Sequence, residues 1–148
     1  MSELLTENAV RLTETAADRD TAIRRCGEVL VEIGAATPDY VDAMLEREKS
    51  ISTYVGEGVA IPHGTVASKS AITRDALAVL RFPDGVDWGG SEVRVCVAIA
   101  ARGEGHVELL SALAEVLMDP DSAERLREAT DAQTVLNLLE SIGKDSAV

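Results

Sequence analysis

With 14 basic and 26 acidic side chains in 148 residues, the chain has a net charge of −12. That balance excludes the basic surface on which nucleic-acid binding depends. Aromatic residues make up only 3% of a chain that is 46% apolar, so the core must be filled by Ala, Val, Leu and Ile, and stacking platforms for bases or sugars are excluded as well.

The length fits one domain over residues 1–148, able to bury a core without disulfides or a structural metal. The chain starts Met1-Ser2-Glu3-Leu4-Leu5, without the basic and apolar regions of a secretion signal. From Asp20, apolar residues recur at helical spacing through Ile23, Cys26, Leu30 and Ile33, and Gly34 stands where a left-handed C-terminal cap belongs. A second helix is predicted from Thr37 as N-cap and Pro38 at the first position, with Val41, Met44 and Leu45 on its apolar face and an end near Lys49.

Ser52 to Ile61 is rich in β-branched residues and glycine, and predicts short extended segments leading into a Pro62-His63-Gly64 turn. Ala76 to Phe82 predicts a strand, Pro83-Asp84-Gly85 a turn, and Val93 to Ala101 a second strand that is apolar throughout, as in a sheet covered on both faces. The apolar run within it, Val95 to Ala101, is far short of the ~20 residues that cross a bilayer, so no membrane insertion is expected. After Gly103-Glu104-Gly105 a third helix starts close to His106 and carries Val107, Leu110, Leu113, Ala114 and Leu117, until Asp119-Pro120-Asp121 ends it. Two more helices are predicted at Ser122 to Ala129 and Ala132 to Ile142, the last with Val135, Leu136 and Leu139 on one face. This order implies an α/β fold, a single domain in which helices flank a mixed β-sheet on both sides.

Two cysteines without CxxC spacing, Cys26 and Cys96, make no zinc or redox motif and are expected to be small core hydrophobes in a cytoplasmic protein. His63 is one of only two histidines. A neutral imidazole can accept a phosphoryl group and release it readily, and Pro62 and Gly64 are expected to hold it open to a large partner and to end any sheet ladder. His106, at the start of the third helix, could lie beside an anion-attracting N-terminus or be a neighbour of the helix cap with no role. Arg47, in the last turn of the second helix, is either part of a solvated charged face or a planar clamp for a phosphoryl group. Thr65 could donate its hydroxyl to the same phosphate or satisfy local backbone, and Glu57 and Glu104 are weaker candidates. There is no GxxxxGK[ST] loop for a nucleotide, so a phosphoryl group must come from another donor, such as a phosphoprotein, and no cofactor is called for. A metal site built from His63, His106 and a carboxylate is the remote alternative, for no HxH or HxxxH spacing prepares it.

Three stretches carry a family resemblance: Ala43-Met44-Leu45-Glu46-Arg47-Glu48-Lys49 with Ser52-Thr53-Tyr54-Val55-Gly56, then Gly58 to Thr65, then Gly105-His106-Val107-Glu108-Leu109-Leu110. In order and spacing they resemble the mannitol/fructose-type enzyme IIA domains of the bacterial phosphoenolpyruvate-dependent sugar phosphotransferase system, most strongly the mannitol branch. The resemblance implies that His63 takes a phosphoryl group from the carrier HPr and passes it to a cysteine of an enzyme IIB partner on a separate chain, with Arg47 and His106 stabilising the group in transit. Fructose-type and nitrogen-regulatory relatives share the histidine motif, so a regulatory module that signals by docking is the alternative implied.

Overall fold

The computed structural model describes residues 5–50, 52–64, 70–101 and 105–146; for 105–109 and 140–146 it describes the backbone alone. After a 3-10 turn at Glu7–Ala9 the elements are β1 (Val10–Arg11), α1 (Arg19–Glu32), α2 (Asp39–Ser50), β2 (Tyr54–Gly56), β3 (Val59–Ala60), β4 (Ala76–Asp87), β5 (Glu92–Ala100), α3 (Gly105–Leu117), α4 (Pro120–Arg127) and α5 (Ala132–Ser146). The five strands form one mixed sheet in the order β1-β4-β5-β3-β2. β1 runs parallel to β4 and β3 parallel to β5, while β4–β5 and β2–β3 are antiparallel.

The helices flank the sheet on both sides, as the composition of β5 requires: Val95 to Ala100 are consecutive and all buried, which is possible only when neither face meets water. α1 packs on α2 and on the central strands β4 and β5, whereas α3, α4 and α5 pack on one another and on β2, β5 and β1. The core is aliphatic, as the composition demands. The few aromatic residues it takes in, Tyr40, Phe82 and Trp88, are all almost fully buried.

Local chemistry sets most helix ends. Asp18 caps α1, its carboxylate accepting from the Thr21 amide at 2.8 Å, and Gly34 follows that helix in the left-handed region at φ 78°, as its position predicts. Asp119 caps α4 by accepting from the Ser122 amide at 3.3 Å, so Pro120 is the first residue of that helix instead of merely ending α3. The second helix becomes regular at Asp39, one residue beyond the predicted proline, and continues to Ser50.

The Pro83-Asp84-Gly85 turn predicted between two strands is not there. β4 runs through it as a bulge: Arg81 pairs with Val95 and Val86 with Val93, so that residues 82–85 face Arg94 alone. Pro83 has no amide to give the ladder, and Gly85, at φ 81°, absorbs the extra residues. The chain reverses farther on, where the Trp88 amide donates to the Ser91 carbonyl at 2.7 Å. The short edge strand β1 is a feature that the sequence pattern did not reveal; two residues show no periodicity.

Candidate functional site

His63 is set by strand pairing. β3 is in register with β5, Val59 opposite Val95 and Ala60 opposite Cys96, and the same register reaches His63 opposite Ile99. Pro62 does not end that ladder as expected, because its carbonyl still accepts from the Ile99 amide at 2.9 Å. Tyr40 of α2 then fastens the turn from the other side: its hydroxyl accepts from the Gly64 amide at 2.8 Å and donates to the Ile99 carbonyl at 2.7 Å. Burial pushes the Tyr40 phenol up to about 12, so it keeps this proton at any physiological pH.

These ties change the expected picture of an imidazole on display, for His63 is only 5% exposed. Its Nδ1 lies 2.8 Å from the Ile61 carbonyl oxygen. A carbonyl can only accept, so Nδ1 carries a proton in this contact. His63 shares the lining of a cleft of about 310 Å³ with Arg47 and Thr53, and Leu110 and Ser111 of α3 form part of its wall.

The structure thus brings Arg47 and His63 to one cleft. His106 is the second residue of α3, one turn before Leu110, so its backbone enters the helix that walls the cleft. Thr65 and Glu104 lie outside the described residues. Glu57 is elsewhere, at the tip of the β2–β3 hairpin, where its carbonyl accepts from Arg127 Nη1. Among the described residues no group of three or more His, Cys, Asp or Glu is placed to hold a metal ion, and no helix is long and apolar enough to cross a membrane. Cys26 and Cys96 are both wholly buried; burial, with Cys26 and Glu48 nearby, pushes the Cys96 thiol up and keeps it protonated.

Two polar residues of this region escaped the sequence reading. Tyr40 and Glu48 are buried, and with Met44 they recur every four residues along the inward face of α2. That spacing was the available signal, since a tyrosine and a glutamate in a buried helical stripe must find polar partners.

The family model for the phosphoenolpyruvate-dependent sugar phosphotransferase system, EIIA 2, matches residues 3–142. The chain is 39% identical over 141 residues to the mannitol-specific phosphotransferase enzyme IIA component of Halalkalibacterium halodurans, covering 95% of this chain and 97% of that one. It is 42% identical over 142 residues to the PTS system mannitol-specific EIICBA component of Pasteurella multocida, of which it spans only 23% while 93% of its own length is matched. Among solved structures it is similar to Escherichia coli enzyme IIAMtl in complex with phosphorylated enzyme IIBMtl, with a TM-score of 0.85 and 37% identity over 93% of this chain and 97% of that one.

Proposed function

The chain belongs to the EIIA 2 family of the phosphoenolpyruvate-dependent sugar phosphotransferase system, and from that premise we propose that it is the phosphocarrier of a mannitol system, with His63 as the relay. Nε2 of His63 attacks the phosphorus of phosphorylated HPr, the N–P bond of the donor breaks as the new one forms, and the donor imidazole leaves. Nδ1 keeps its proton on the Ile61 carbonyl throughout, so the phosphorylated ring is cationic. It departs as a neutral imidazole when a cysteine thiolate of enzyme IIB attacks the same phosphorus. No proton need be found or lost at the moment of transfer.

Arg47 supplies the planar charge that stabilises the equatorial oxygens in the loose transition state, and His106 and Thr65 complete the cradle. The observation that carries this reading is the Nδ1-to-Ile61 hydrogen bond of a histidine that shares its cleft with Arg47. Because the relay draws on phosphoenolpyruvate, the reading locates the protein in the cytoplasm. The complex of the E. coli relative with phosphorylated enzyme IIBMtl supports a IIB domain as acceptor.

Incubation with phosphoenolpyruvate, enzyme I and HPr is expected to leave an acid-labile phosphate on Nε2 of His63, assigned by ³¹P and ¹⁵N NMR. His63→Ala abolishes it and Arg47→Lys slows it. An unlabelled His63 would sink the reading, and a labelled protein unable to donate to a mannitol IIB domain would favour the docking regulator instead.

A further inference from the structure

Glu48 is a carboxylate at only 5% exposure, one residue beyond Arg47 in the last turn of α2. It accepts the Thr53 amide at 3.0 Å, the Thr53 hydroxyl at 2.5 Å and the indole N–H of Trp88 at 3.0 Å. Such a group is costly to bury, and its donors come from two segments, the amide and hydroxyl of Thr53 and the indole of Trp88, so its place is tightly determined. From Thr53 the contacts continue toward the relay: the Thr53 carbonyl accepts from the Ile61 amide at 3.0 Å, and the Ile61 carbonyl takes Nδ1 of His63 at 2.8 Å.

Resting on the relay reading above, we propose that Glu48 is a positioning residue for phosphoryl transfer. It fixes the Nδ1–H form of His63 through Thr53 and Ile61, and anchors the helix end that presents Arg47 to the cleft. It touches neither phosphate nor donor. Its carboxylate holds Thr53, Thr53 holds Ile61, and the Ile61 carbonyl selects the nitrogen that reacts. The same carboxylate ties the end of α2 to the wall that Arg47 and Thr53 share.

The test compares wild type, Glu48→Gln and Trp88→Phe with phosphorylated HPr as donor, alongside the ¹⁵N shifts of the His63 ring in the unphosphorylated proteins. Glutamine is isosteric but uncharged, and its NH₂ faces either the Thr53 hydroxyl, which must then reverse and accept, or the N–H groups of Thr53 and Trp88, so the hold on Thr53 changes in either orientation. The expected result is a fall in kcat of about 10- to 100-fold, the scale of a small misplacement, with KM for the donor unchanged. The two ring shifts are expected to converge from the Nδ1–H pattern. Trp88→Phe removes one donor yet leaves Thr53 held, so it should lower the melting temperature and keep kcat and the ring shifts near wild type. A folded Glu48→Gln protein with wild-type kcat or wild-type ring shifts overturns the proposal. If that variant does not fold, Thr53→Val is judged by the same two readouts. Should wild type accept no phosphoryl group, the relay reading fails by itself, and the ring shifts still decide whether Glu48 sets the tautomer.

Discussion

Two polar networks hold helices of this protein in place, one buried beside the cleft and one exposed along α1. In the first, Tyr40 joins the Gly64 amide to the Ile99 carbonyl, and Glu48 collects Thr53 and Trp88, all out of water. In the second, Arg25 reaches Glu14 at 2.9 Å and Glu32 at 3.0 Å, while Arg11 reaches Glu32 at 3.0 Å; the side chains involved are 19% to 47% exposed. The bond lengths are alike. The difference lies in what a lost partner leaves behind: water replaces a lost contact at the surface, but a buried amide or carbonyl stays unpaired.

Tyr40→Phe should show the largest effect, because it strands two backbone groups at once. A loss of about 2–4 kcal/mol is expected from urea unfolding, with an unchanged m-value. The pH dependence separates this from a packing defect. The Tyr40 phenol is raised from 10.0 to about 12 in the folded state, so its contribution is complete below pH 10 and is lost as pH rises toward 12. The phenylalanine variant should lack that part of the alkaline decline; an identical slope would mean that the buried hydroxyl is not what holds the turn.

The β2–β3 hairpin is the intermediate case, a half-open contact in which half-buried Arg127 grips the Glu57 carbonyl. Gly58, at φ 75°, would bring an added Cβ to 3.0 Å from Arg127 Cδ. Gly58→Ala should therefore cost about 1–2 kcal/mol by thermal unfolding. Glu57 holds φ 55° without being glycine, so Glu57→Asn should do the reverse and gain about 0.5 kcal/mol. If both substitutions were neutral, the tip would not be strained.

At the exposed end of the comparison, Arg25→Gln is expected to cost about 0.5–1 kcal/mol, most of it gone in 1 M NaCl. Arg25 first and Arg11 second hold the Glu32 carboxyl below its usual 4.5. Their contribution is thus present above pH 4.5 and fades as pH falls below it. A penalty as large as that of Tyr40→Phe, insensitive to salt, would erase the distinction between the two networks.

Much of this was legible in the chain. The stripe Ile23, Cys26 and Leu30, the all-apolar β5 and the Pro62-His63-Gly64 turn announced helices on both faces of a mixed sheet and a candidate relay histidine. Three readings failed for a shared reason. Pro83-Asp84-Gly85 has turn composition but lies in a bulge, Pro62 was expected to stop a ladder that its carbonyl extends, and His63 was expected in the open but is buried. Local propensity was correct about the strain each residue tolerates, and wrong about the pairing into which the rest of the sheet draws it.

By itself, then, the sequence determined the periodic elements, the aliphatic core and the candidate for the reactive side chain, since these depend on residue type and short-range spacing. Only the tertiary structure decided that Nδ1 of His63 meets the Ile61 carbonyl, that Arg47 shares its cleft, and that Tyr40 and Glu48 lie inside. Tyr40 finds its partners 24 and 59 residues away, and Trp88 finds Glu48 across 40. Contacts at that separation exist only once the sheet has closed. No local pattern encodes them.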